Sequence, residues 1–261
     1  MNSVNKTLYI PLYGKALVSS KGIILSDKKA EEIWQKEGFR LSGKAKSKWL
    51  AYYMAMRSAL YDEWLEDELA SKPDAVVLHI GCGMDSRVLR VKASGVQWYD
   101  IDFAEVIEER RKYFCEGEYY HMLGVDMKGN EWKECIAPCQ DAIAVIEGVS
   151  MYFEPEKLTA LLSSLSEHFR SVKILMDCYS ERAARLSKIK NPIKGVGVKR
   201  VYGYDDPRKL ADLSNLIFLG EKHLMPQKYI DELKGAQKAL FKRLYAGKIA
   251  KSLYKAYEFK K

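Results

Sequence analysis

Between Ala75 and Met176, short apolar runs alternate with amphipathic stretches, and this rhythm predicts strands and helices in turn. Ala75–Ile80, Val96–Ile101, Tyr119–Leu123, Asp141–Ile146 and Val172–Met176 read as five strands, of which the first is a fully buried run. Ser86–Lys92 begins a helix, and Ala104–Cys115 carries Val106, Ile107 and Arg110–Tyr113 at helical spacing. Pro155 suits the first turn of a helix. Leu158, Leu161, Leu162, Leu165 and Phe169 then recur on one face of that helix. Strands alternating with helices at this pitch predict an α/β fold, a mainly parallel twisted sheet with right-handed crossovers and helices on both faces.

The flanks follow other patterns. Residues 1–72 read as an N-terminal helical extension, with Trp49–Leu69 as its main helix. Residues 73–261 form the core, interrupted by an irregular lid insertion at about 178–204 that includes Lys188–Gly197. Irregular insertions after a strand's carboxyl end commonly serve as lids or binding loops. Asp205-Asp206-Pro207 caps a short helix, Leu216–Leu219 adds a strand, and Gln227–Tyr245 reads as one long amphipathic helix opening a basic C-terminal helical segment.

Composition changes this picture only slightly. With 261 residues, 48% hydrophobic and 30% charged, the chain suits one decorated globular domain. No apolar run is long enough to span a membrane, and the N-terminus lacks the features of a signal peptide. Five cysteines with no Cys-x-x-Cys pair predict reduced thiols and a cytoplasmic protein without a zinc site. The formal net charge of +8 is concentrated at the end, where residues 221–261 hold eleven Lys/Arg against four Asp/Glu. That tail, with Tyr245, Tyr254, Tyr257 and Phe259 among its lysines, keeps a nucleic-acid methyltransferase or binder open as an alternative. The simpler reading, and the preferred one, is a solvated helix face.

The chemistry gathers at predicted strand ends, where open parallel sheets bind ligands. Gly81-Cys82-Gly83 follows the first strand, and Asp102 ends the second, 19 residues after Gly83. A Gly-x-Gly turn lets a ligand approach the backbone, and a strand-end acid accepts hydrogen bonds from a ribose diol. Asp85 at the helix start would repel a pyrophosphate but suits a sulfonium or ammonium, which favours S-adenosyl-L-methionine over NAD. Asp102 is preferred to Asp100 as the ribose ligand. Asp126 with Met127 would serve an adenine ring, or Asp126 is an ordinary turn aspartate. Arg57, in an otherwise apolar helix, needs an anionic partner: the cofactor carboxylate, or Asp62 or Glu63. Glu147 and Tyr152 lie at the fourth strand's rim as candidate catalytic residues, and Asp177 ends the fifth strand. His79 and His121 fall within strands and read as core residues, while Cys135-x-x-x-Cys139 is assigned no role.

Several motifs carry a family resemblance. Thr7–Ala30, the Arg57 helix, His79–Arg87, Asp100–Val106 and Glu147–Tyr152 together resemble the class I methyltransferases of the leucine carboxyl methyltransferase and tetracenomycin-type polyketide O-methyltransferase group. The resemblance implies a Rossmann-like fold and S-adenosyl-L-methionine-dependent methylation of a carboxylate or hydroxyl on a small molecule. A non-catalytic cofactor-binding protein is the remaining alternative. By likeness, Arg57 would hold the cofactor carboxylate, Gly81 would line the methionine arm and Glu147 would meet the amino end. Asp102 would bind the ribose, Asp126 the adenine side, and Lys15 would lie near the cofactor. Ala104 replaces a proline usual in the group, and the insertion after the fifth strand departs from enzymes acting on protein C-termini.

Overall fold

A computed structural model describes residues 5–39, 41, 43–138, 140–187 and 200–261. The central part of the expected lid, 188–199, and Cys139 fall outside the described residues. The N-terminal extension supplies α1 (Asn5–Ser19), α2 (Lys28–Glu37) and α3 (Lys48–Ser71). The core then runs β1 (Val76–Ile80), α4 (Arg87–Arg90), β2 (Trp98–Asp102), α5 (Ala104–Arg110), β3 (Tyr120–Gly124), α6 (Trp132–Cys135), β4 (Asp141–Ile146), α7 (Pro155–His168) and β5 (Ser171–Tyr179). It closes with α8 (Glu181–Ser187), α9 (Pro207–Leu213), β6 (Ile217–Lys222), α10 (Gln227–Asp231), α11 (Gly235–Tyr245), α12 (Lys248–Leu253) and β7 (Tyr254–Lys260).

Seven strands form one sheet in the order β3-β2-β1-β4-β5-β7-β6. The first five pair in parallel, and β7 is antiparallel to both β5 and β6. Alternate residues of each strand serve opposite faces. Val77, Ile143, Val145 and Leu175 pack under α3, α10 and α11. Val76, Leu78, Ala144, Ile146 and Ile174 pack against α6, α7 and α9. Burial on both faces explains why these strands read as continuous apolar runs. The strand order reverses between β1 and β4, so a crevice opens at their carboxyl ends. The extension closes it from above, because Gly14 lets α1 lie against α3: a Cβ there would meet Ala51 O at 2.9 Å.

Three sequence expectations need correction. Gln227–Tyr245 is two helices rather than one, because Gly235 takes a left-handed conformation at φ 54°. The C-terminal segment is not wholly helical. Its last stretch is the buried strand β7, whose Tyr254, Ala256, Tyr257 and Phe259 face the core. The aromatics that suggested a stacking surface for nucleic acid are therefore packing residues. Asp177 is not at the strand end either, since β7 pairs with β5 as far as Tyr179 and holds Asp177 inside the sheet.

Candidate active site

The crevice opens into a cavity of about 260 Å3 at the carboxyl ends of β1, β2 and β4. The Gly81–Asp85 turn forms its floor, Asp102 and Phe103 one side, Glu147–Val149 another, and Lys15, Met54 and Arg57 from the extension its roof. Gly81 has φ 70°, and a Cβ on it would fall 2.2 Å from Val149 Cγ2. Only glycine permits this turn and keeps the floor open.

Asp102 reaches back to the turn, its Oδ2 accepting from Gly83 N and its Oδ1 from Phe103 N, each at 2.8 Å. Burial raises its pKa against these two amides. Asp100 is occupied otherwise. It is fully buried and accepts from His79 Nδ1 at 2.9 Å, Trp98 Nε1 at 2.9 Å, Tyr120 Oη at 2.7 Å and the Arg110 guanidinium. Burial opposes ionisation of Asp100, but Arg110 and His79 hold it down at about 2. Arg110 in turn donates to Gly83 O at 3.0 Å, so this cluster braces the turn from below. Arginine can only donate, so its Arg87 Nη1 contact at 3.0 Å makes His79 Nε2 an acceptor and leaves the ring proton on Nδ1.

Arg57 pairs with neither Asp62 nor Glu63. Its Nε donates to Glu147 Oε1 at 2.9 Å and its Nη1 to Tyr254 Oη at 2.7 Å, with Asp177 Oδ2 3.2 Å from Nη1. Its Nη2 lies 3.0 Å from where a Gly148 Cβ would stand, so Gly148 leaves that edge uncovered. Glu147 also takes Arg87 Nη2. Burial alone would raise the Glu147 pKa, yet Arg87 and Arg57 bring it down to about 2. A carboxylate so stabilised is a poor proton acceptor, and its geometry makes Glu147 an anchor for two arginines. Asp85 is likewise enclosed: Lys15 Nζ lies 3.1 Å from Oδ2, Arg90 Nη1 2.8 Å from Oδ1 and Arg87 Nη2 3.6 Å away. Burial opposes its charge, but Arg90, Lys15 and Arg87 together hold its carboxyl well below the usual range.

Tyr152 lines the cavity, its phenol pushed up by burial. Asp126 and Met127 do not line it. Asp126 Oδ1 accepts from Lys128 N at 2.9 Å within its own turn, and Met127 packs in the core beside Trp132. Phe103, Val106 and Lys128 stand at that edge of the cavity instead. The roles of several contributors went unread in the sequence. Asp62 binds Arg87 and Arg90, and Asp27 caps α2 through Ala30 N while accepting from Arg90 Nη1 at 2.6 Å. Tyr179 and Tyr254 join the wall from β5 and β7. Their signal was faint, since each partner lies far along the chain.

A family model described as leucine carboxyl methyltransferase matches residues 3–166. This chain belongs to the leucine carboxyl methyltransferase family. It is an S-adenosyl-L-methionine-dependent O-methyltransferase, and that cofactor is the ligand of its fold. It is 28% identical over 212 residues to the tetracenomycin polyketide synthesis O-methyltransferase of Streptomyces glaucescens, covering 80% of this chain and 78% of that one. An S-adenosyl-L-methionine-dependent methyltransferase of Gibberella zeae is 26% identical over 234 residues, with coverage of 80% and 78%. Among solved structures, magnesium protoporphyrin IX methyltransferase from Synechocystis PCC 6803 with bound SAH shares the fold at a TM-score of 0.51 and 12% identity, over 95% of this chain and 99% of that one. No helix among the described residues is long and apolar enough to cross a membrane.

Proposed function

We propose that this methyltransferase esterifies the carboxylate of a small molecule. The observation that carries the reading is that the described carboxylates and the imidazole lining the cavity are already engaged, Asp102 accepting from the Gly83 and Phe103 amides and assigned to the ribose. Glu147 and Asp85 are locked to cations, and both His79 nitrogens are engaged. Lys15 is paired, and burial pushes up the phenols of Tyr152, Tyr179 and Tyr254. An alcohol would need its proton removed during transfer. A carboxylate arrives already ionised and needs only alignment and exclusion of water.

The residues present suit the cofactor. The open floor at Gly81 and Gly83 accommodates the methionine arm, and Asp102 is placed for the ribose hydroxyls. Arg57 Nη2 offers an edge for the carboxylate, and Lys15 adds positive charge beside Asp85. Phe103 and Val106 give the adenine an apolar shelf, the task first assigned to Asp126 and Met127. The bound cofactor supplies an activated methyl group on its sulfonium. Glu147 keeps Arg57 and Arg87 in place, and Tyr152 borders the acceptor space and donates a hydrogen bond to an acceptor oxygen. The described flanks of the 178–204 insertion cover this end, with Tyr202 N donating to Met151 O at 2.8 Å and Tyr204 Oη to Phe153 O at 2.7 Å. The free thiols Cys82, Cys115, Cys135 and Cys178 fit a reducing, cytoplasmic setting.

The test is methyl transfer from labelled cofactor to paired carboxylic acids and alcohols of matched skeleton, beginning with polyketide-like acids. The expected product is an ester that releases methanol in alkali. At saturating cofactor its rate should stay flat from about pH 7 to 8.5, because no base titrates. Transfer to alcohols or phenols alone, at a rate climbing with pH, would overturn the reading. Cofactor binding with no transfer to any acceptor would favour the non-catalytic alternative.

A further inference from the structure

Asp177 lies outside the stretch that carries the family match and has no place in the scheme above. It is wholly buried in β5. Its Oδ1 accepts from Gly148 N at 2.7 Å. Its Oδ2 lies 3.2 Å from Arg57 Nη1 as an ion pair, with no hydrogen bond of good geometry among the described residues, and the Tyr254 hydroxyl beside it gives only partial support to its charge. Arg57, Tyr53 and Tyr61 face it from α3, Glu147 from the turn after β4, Tyr179 from its own strand and Tyr254 from β7. Arg57 is the single cation among them.

Two carboxylates thus share Arg57, on unequal terms. Glu147 has a second cation in Arg87, whereas Asp177 has none. A third carboxylate arriving at Nη2 would leave three negative charges around one guanidinium in a setting where uncompensated buried charge is costly. Relief comes most readily where the charge is least supported. We propose that Asp177 is a positioning residue that competes with the cofactor carboxylate for Arg57, so that binding of S-adenosyl-L-methionine draws a proton onto Asp177. The inference rests on the assignment of Arg57 to the cofactor carboxylate. Burial, only partly offset by Arg57, already raises Asp177 to about 6, so uptake near neutral pH demands little.

Titration calorimetry on the full chain at about pH 6.5, in two buffers of different ionisation enthalpy, reads the proton directly. The expected result is net uptake of a substantial fraction of a proton on binding S-adenosyl-L-methionine, and none on binding its decarboxylated analogue. The variant Asp177→Asn keeps an acceptor for Gly148 N but has no proton to gain. Its uptake should vanish. The wild-type Kd should fall at least about threefold relative to the variant between about pH 7.5 and 5.5, within the tenfold per pH unit that one proton allows. Because Asp102 is the same in both proteins, its own titration cancels in that ratio. Binding without uptake in the wild type, or equal uptake in the variant, overturns the inference alone. Should the variant fail to fold, the comparison of cofactor with decarboxylated analogue on the wild type decides. No binding of cofactor by the wild type at any pH overturns the Arg57 assignment, and this inference with it.

Discussion

At the scale of single residues, burial decides which acids are chemistry and which are scaffolding. Replacing Glu147 with Gln should strand Arg57 and Arg87 without their shared counter-charge, at a cost of about 3–5 kcal/mol in folding stability. Thermal unfolding checks this, and an unchanged melting temperature would overturn the anchoring role. Asp102→Ala should weaken the cofactor at least about tenfold, roughly 1.4 kcal/mol. Calorimetric affinity unchanged from wild type would remove Asp102 from the site. Gly81→Ala meets both a left-handed backbone and Val149, so weak cofactor binding is expected even where the protein stays folded. Gly81, Asp102, Arg57 and Glu147 were legible because each marks a strand end or an odd charge in an apolar stretch. Their partners were not: Arg90 and Asp27 meet across 63 positions of chain, and no local pattern announces such a pair.

At the scale of elements, the five parallel strands could be read because each is a short run buried on both sides, a strong local signal. β7 could not, since it follows directly on the basic helical stretch and its partners on β5 and β6 precede it by long stretches. The same strand carries β5 past Asp177, which is why that residue looked like a rim acid and is a buried one. The contact of α1 with α3 is open to test. Gly14→Leu should push α1 off Ala51 and carry Lys15 away from Asp85, lowering cofactor affinity while the β-sheet core remains. Circular dichroism retaining the strand signal, together with a raised Kd, is the expected pair of results.

At the scale of the whole molecule, the buried acids pull its pH stability in opposite directions. Glu147, depressed to about 2 from an ordinary 4.5, contributes stability that is present above pH 4.5 and lost as pH falls through about 2. Asp177, raised to about 6 from 3.8, does the reverse. Its contribution is fullest below 3.8 and fades as pH rises through about 6. Asp177→Asn should therefore raise the melting temperature by a few degrees at about pH 8 and by about half as much at about pH 5, the gap corresponding to about 1.4 kcal/mol. A melting curve shifted equally at both values would mean that the carboxylate is not ionising there.

The insertion of β7 between β5 and β6 has a consequence for how the enzyme comes into being. β6 leaves the ribosome first but has no strand to pair with among the described residues, because it joins the sheet through β7, which is synthesised after it. Until Tyr254 arrives, the edge of β5 stands open and Arg57 lacks the hydroxyl that takes its Nη1 hydrogen. Cofactor capacity should therefore appear late in synthesis, in one step with the closing of the sheet, and nascent chains stalled short of Tyr254 should be both inactive and prone to pairing with one another at that exposed edge.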